Sequence, residues 1–418
     1  MKKTETNKRA LFLGLPGRTF SSMSFIPKDD RILLIDRKNI QSAAIQKELS
    51  TYKTIVPVDE YYDSGEVSWA AVQCFHQTPY SHIISLSESD ILRAGALRDY
   101  LNIEGQSLES AQAFRDKIIM RELLKASGLP TTPFKRLAHE IELLEFVQRH
   151  GYPVIVRPIK GYGALDTFVL KTEEDLELLI KKPLIFDEFQ RGNLFVESFV
   201  TGQMYHVDGL VYQREVIFMS PSAYSTPTLE MNRTDGSTRK GYSASYMLPK
   251  DCPDRESLLA FTKTVMKTLP TPQNSAFFLQ AFKSSEGDFV LCEVASRVGG
   301  HPNPHVAWQA FGIDLKNEFI RLQCGFAPSF SWHEEPKEYL GSIVLGTEDG
   351  KFKGLEPMKQ LPWIQNMELF ISKGDVCSRS SGFLSLAAYF ILSADNRESF
   401  IGRTETLASL FYSTECWE

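Results

Sequence analysis

Short apolar runs alternate with helix-like stretches through the first hundred residues. Residues 11–13, 31–36, 52–58 and 82–86 have strand length and apolar character, while 40–49 and 88–101 read as helices. Parallel neighbours need a crossover between them, so this alternation predicts a small parallel α/β sheet. A polar, basic helix is expected over 107–127. Gly128-Leu-Pro-Thr-Thr-Pro133 ends it, because proline removes backbone donors and fixes φ. A new unit follows, with a helix over 140–150, a strand over 152–157, a glycine-bearing loop over 158–164, a strand over 167–170 and a helix over 173–180.

Residues 194–202 read as a strand running into a connector, 204–211 as a strand and 214–219 as its partner. The stretch 224–246 is polar, carries Arg233, Arg239 and Lys240, and is expected to include a loop. A helix over 254–268 then leads into the most informative segment, residues 278–301. Two strands meet there at Glu286-Gly287-Asp288; Gln280 lies in the first, Glu293 ends the second, and Arg297 with Gly299-Gly300 follows. Beyond Phe330 an appended β-rich subdomain is expected. The organisation is therefore four units: 1–106, 107–193, 194–330 and 331–418.

Composition narrows the classes. A net charge of −6 and a pI near 5.9 argue against nonspecific nucleic-acid binding, which needs a basic surface. The six cysteines are scattered without a CxxC pair, so reduced thiols and a cytoplasmic setting fit best. No run approaches the roughly 20 apolar residues of a membrane span. The basic start, Met1 to Arg9, leads into an apolar run too short for a signal peptide and soon interrupted by Arg18. Gly14-Leu-Pro-Gly17 is no GxGxxG fingerprint, which leaves Asp36 a weak ribose ligand.

Chemistry enters through the paired strands. Pairing brings the Gln280 amide oxygen beside the Glu293 carboxylate, a hard-oxygen set that suits Mg²⁺ carrying phosphate and water. Lys117 and Arg157 add cations on separate units, and Gly161 and Gly163 let backbone N–H groups approach phosphate oxygens. Residues 197–200 offer an extended connector for an adenine edge, and Arg297 can neutralise a transferring phosphoryl group or a substrate carboxylate. Each piece also has a plain reading: Lys117 as a solvated helix residue, the two glycines as a turn, Glu197 as a strand residue, His206 as structural. His301 and His305 read equally as a pocket wall or a surface loop, and neither has a convincing set of zinc partners.

The ordered set Arg115-Asp-Lys-Ile-Ile-Met-Arg121, Tyr152-Pro-Val-Ile-Val-Arg-Pro158, Val196-Glu-Ser-Phe-Val-Thr-Gly202 and Glu293-Val-Ala-Ser-Arg-Val-Gly-Gly300 resembles the ATP-grasp superfamily, specifically its carboxylate–amine and carboxylate–thiol ligases. The resemblance covers roughly residues 80 to 325. It implies an N-terminal α/β domain followed by two α+β lobes that hold ATP between them. It makes Lys117 and Arg157 phosphate-binding cations, Gly161 and Gly163 the phosphate loop, and Glu197 with Val200 the adenine connector. Ala164 replaces the loop's common serine. Met204 falls where a ribose-binding glutamate is often found, and Asp208, on the same strand face, is its substitute. Gln280, in place of the more frequent glutamate, and Glu293 become the Mg²⁺ ligands; Ala295 replaces a common asparagine.

In this resemblance Arg297 stabilises the developing oxyanion; the basic loop Arg233–Lys240 suits an acidic carrier protein or a second substrate carboxylate, and His301 is expected to contact substrate. The implied reaction turns an amino-acid carboxylate into an acyl phosphate and passes it to an acceptor, with ADP released. The acceptor is an amine, as in bacterial L-amino-acid ligases, or an acyl-carrier-protein thiol, as in aminoglycoside-antibiotic biosynthesis. A homodimer is allowed. The rival is an ATP-binding protein with weakened catalysis, suggested by Gln280, Ala164, Met204 and Ala295.

Overall fold

The computed structural model of this chain describes residues 9–15, 17, 23–231, 241–330, 339–358, 360–379 and 386–418. Strands β1 (Ala10–Leu13), β2 (Arg31–Asp36), β3 (Thr54–Val58) and β4 (His82–Ser85) form a parallel sheet in the order β3-β2-β1-β4. All four residues of β1 are buried, as expected of a parallel strand covered on both faces. The Glu66–Gln77 helix buries Val67, Ala71 and Cys74 on one stripe.

The helix expected over 107–127 is two helices, Leu108–Ala113 and Lys117–Ala126. The break is made by Asp116, whose side chain accepts from the backbone N–H groups of Ile118 and Ile119 and so caps the second helix. Lys117 thereby becomes a buried first-turn residue rather than a solvated one. Strands β5 (Phe134–Leu137), β6 (Val154–Pro158), β7 (Phe168–Leu170) and β8 (Leu194–Ser198) then make an antiparallel sheet, ordered β5-β8-β6-β7. Leu143, Phe146, Leu176 and Phe189 from its helices close its own core.

The largest sheet takes β9 (Gln203–Tyr212), β10 (Glu215–Thr226), β11 (Tyr242–Met247), β12 (Ser275–Lys283), β13 (Phe289–Ala295) and β14 (Tyr339–Gly346). After a small ribbon of β15 (Gly350–Lys351) and β17 (Val376–Cys377), with β16 (Ile364–Leu369) between them, β18 (Leu386–Ala394) completes it. Its order is β13-β12-β9-β10-β11-β14-β18-β16. The C-terminal region is β-rich as expected, but β14, β18 and β16 extend this central sheet instead of forming a layer of their own. Residues 340–346 are all buried, so β14 has both faces covered and reads as a central strand. Within 224–246, β10 runs on to Thr226 and β11 begins at Tyr242, and the loop expected between them falls largely outside the described residues. Among the described residues no helix is long and apolar enough to cross a membrane.

Candidate functional site

A cleft of about 570 Å³ separates β6 and β8 from the β12–β13 hairpin. The β12–β13 register sets Gln280 opposite Glu293. The Gln280 amide nitrogen donates to the Tyr224 hydroxyl at 2.8 Å, which leaves its oxygen as the atom available to a ligand. Lys117 Nζ lies 3.2 Å from Glu293 Oε2 and donates to the Gly161 carbonyl at 2.6 Å. One ammonium therefore ties the glycine loop to the acid at the end of β13. Burial pushes the Glu293 carboxyl up, but the positive charges of Lys117 and Arg157 prevail and hold it at about 2. Burial draws the Lys117 pKa down, and Glu293 resists that shift.

The donor set fits a magnesium ion. Glu293, about a quarter exposed, supplies a carboxylate that is ionised throughout the physiological range, and Gln280 supplies an amide oxygen. Two protein oxygens leave the remaining positions of an octahedron to phosphate and water.

Arg157 and Glu197 both border the cleft, with their charges turned on one another. Glu197 accepts from Arg157, from Arg121 Nε at 2.7 Å and from Thr132 Oγ1 at 3.1 Å. Arg121 also donates to the Cys292 carbonyl at 2.9 Å. The Phe195 ring faces both guanidiniums, 5.6 Å from that of Arg121 and 5.3 Å from that of Arg157. The Glu197 carboxylate is thus committed to a buried ion cluster rather than offered to a ligand. From this connector, Val200 and its neighbours 199–202 line the cleft.

Sequence reasoning missed Glu88. It follows β4 in a short 3-10 turn that Ser87 caps, and accepts from both Arg115 and Arg297. Arg115 reaches on to the Lys160 carbonyl at 2.6 Å. Burial raises the Glu88 pKa, yet the two arginines outweigh it and keep the carboxyl below its ordinary range. The only local signal is an acid in a capped turn after a strand. Its arginine partners lie 27 and 209 residues away, beyond the reach of periodicity.

Asp208 needs correcting. It shares a strand face with Met204, as strand periodicity requires, but only Met204 borders the cleft. Asp208 is buried and accepts from Gly299 N at 3.0 Å and Asn303 Nδ2 at 2.9 Å. A Cβ at Gly299 would lie 2.3 Å from Asp208 Oδ1, so glycine permits this approach. Asp208 holds the loop that carries Arg297 and His301. Asp208→Ala strands the buried Gly299 N–H and takes an acceptor from the part-buried Asn303 amide, and should lower stability in thermal denaturation by about 1–3 kcal/mol; an unchanged melt would show that the loop is held by other means.

In the glycine loop, Gly163 and Ala164 both have left-handed backbones, at φ +64° and +57°. Glycine accepts this without cost; alanine does not. Arg233 lies outside the described residues. His301 borders the cleft beside His305, and β16 brings Glu368 to the pair. Burial, with Lys316 adding to it, draws the His301 imidazole down to about 4.

The chain is similar in sequence and fold to several known proteins. Residues 116–211 match the family model of the carbamoyl-phosphate synthase L chain, ATP binding domain. The chain is 26% identical over 348 residues to the L-arginine-specific L-amino acid ligase of Bacillus subtilis, covering 81% of this chain and 82% of that one. It is 25% identical over 332 residues to dapdiamide A synthase of Enterobacter agglomerans, covering 75% of each. Its fold superposes on the crystal structure of an L-amino acid ligase from Bacillus licheniformis with a TM-score of 0.73, at 17% identity and over 96% of both chains. An N5-carboxyaminoimidazole synthetase from Staphylococcus aureus, complexed with ADP, superposes with a TM-score of 0.68 at 13% identity, over 96% of this chain and 97% of that one. The chain thus has the ATP-grasp fold, matches an ATP-binding domain over residues 116–211, and resembles the L-amino-acid ligases in sequence.

Proposed function

We propose that this enzyme uses ATP to activate an amino-acid carboxylate as an acyl phosphate and joins it to an amine, releasing ADP and phosphate. The observation that carries this reading is the meeting of Lys117, Glu293 and the Gly161 carbonyl at one end of a cleft that Arg157 and Arg297 also border. Phosphoryl transfer asks a protein chiefly for positioning and charge stabilisation, and these groups supply both. Lys117 and Arg157 bind phosphate oxygens. Residues 199–202 present backbone to the adenine. A magnesium ion held by Glu293 and Gln280 would neutralise charge on the β- and γ-phosphates. Unit 107–193 serves as the lid: its glycine loop closes over the phosphates and excludes water that would hydrolyse the acyl phosphate. Arg297 would stabilise the oxyanion that forms on the acyl oxygen when the amine attacks the acyl phosphate, before phosphate leaves.

ADP release measured with a panel of amino acids, singly and in pairs, tests this reading. Release for a matching pair, with a dipeptide formed, is expected. Release only when an acyl carrier protein is added would move the acceptor to a thiol. No magnesium-dependent release under any condition would favour the weakened-catalysis reading, for which Gln280 and Ala295 are the motivating residues. Arg157→Ala should raise the ATP needed for half-maximal rate about tenfold, equivalent to some 1.4 kcal/mol of binding. Unchanged kinetics would remove Arg157 from the phosphate site.

A further inference from the structure

His301, His305 and Glu368 converge where His301 forms part of the cleft wall. His301 stands in the loop after Arg297, His305 in the Asn303–Phe311 helix, and Glu368 on β16 at the edge of the central sheet. One ligand-capable atom from each lies within 4.8 Å of the others. His305 Nε2 is 3.9 Å from Glu368 Oε2, and the same oxygen accepts from the Tyr389 hydroxyl at 2.8 Å. The His301 ring stacks on Tyr389, with centroids 6.0 Å apart and planes 18° apart. His301 Nδ1 is buried with no hydrogen-bond partner.

We infer that these three side chains form a binding site for a divalent transition metal of the zinc type, separate from the magnesium position. Two borderline imidazoles with one hard carboxylate make the mixed nitrogen–oxygen set that zinc or its neighbours accept, whereas magnesium takes oxygen alone. Tyr389 supplies the outer hydrogen bond that orients a ligating carboxylate. An ion with bonds of about 2.0–2.1 Å requires its ligands closer together than they stand here. His301 and Glu368 are partly exposed whereas His305 is buried, so closing that distance falls to the first two. Lys316 is a neighbouring cation that opposes the ion, and Asp314 and Glu48 offset part of its charge. Three protein ligands leave a fourth position, reachable from the cleft because His301 forms part of its wall, where a substrate amine, a carboxylate or water can coordinate.

Cobalt titration of the metal-free full chain, without nucleotide, tests the site independently of the ligase reading. One equivalent of Co²⁺ should give visible d–d bands that Zn²⁺ displaces. His301→Ala and Glu368→Gln should each weaken Co²⁺ binding at least tenfold, and Glu293→Gln should leave the bands unchanged. Thermal melts check that each variant is folded, and His301→Asn replaces His301→Ala if that one is not. Four results would overturn the site: no saturable bands, bands indifferent to both ligand variants, bands lost with Glu293→Gln, or thiolate charge-transfer absorption placing the ion on cysteine.

Discussion

Glu293→Gln should reduce magnesium-dependent ADP formation about 10²-fold or more while leaving a folded protein. The magnitude is that of removing one preorganised electrostatic group from a reacting centre. Glutamine keeps the shape but removes the negative charge that faces Lys117, and Gln280 beside it is already neutral. The metal position would then have two amide oxygens and no carboxylate. Steady-state ADP release measures the effect, and a melting curve separates it from unfolding. Activity within a factor of two of the parent would rule out Glu293 as the anionic metal ligand.

The same substitution carries a pH signature. The Glu293 carboxyl ionises at about 2 in the fold against an ordinary value of 4.5. A depressed folded value means that the unfolded chain takes up its proton first as pH falls. The stability contributed by the pairing is therefore complete above about 4.5 and lost as pH falls through about 2. The stability gap between parent and variant should stay level from neutral pH down to that upper limit and shrink below it.

The sequence made the local elements and their order legible. Alternating strands and helices foretold the parallel sheet, and the two apolar runs around Glu286-Gly287-Asp288 foretold a hairpin whose register pairs Gln280 with Glu293. Proximity along the chain made this possible, because a short connection fixes register. Features with distant partners were not legible. Glu88 owes its place to Arg297, 209 residues on, and β14 and β18 join the central sheet across intervals that no periodicity reports. Strand face alone put Asp208 with Met204, yet could not say that the Gly299 loop covers it. Glu197 shows the same limit from the other side. Its position in a strand leading to a connector was readable, but the arginines that claim its carboxylate come from a helix and a neighbouring strand.

That claim makes Glu197→Ala the substitution expected to cost the most stability, about 3–5 kcal/mol, as when one partner of a buried ion pair is removed. The Glu197 side chain is only 6% exposed, with those of Arg121 and Arg157 at 3% and 11%, so water cannot readily replace the lost carboxylate. Arg121 Nη1 and Arg157 Nε are already buried without hydrogen-bond partners, which leaves the guanidiniums poorly placed to compensate for a further loss. Burial would raise the Glu197 pKa, but Arg121 and Arg157 hold it below the ordinary carboxylate range. Denaturant titration should therefore show a large fall in midpoint, with Glu197→Gln intermediate because its amide oxygen still accepts. A ligand-binding carboxylate would behave oppositely: ATP affinity would fall and the midpoint would barely move. The two outcomes separate a residue that binds the nucleotide from one that holds β8 against β6, β13 and the Lys117–Ala126 helix, so that the connector beyond it keeps its place beside the cleft.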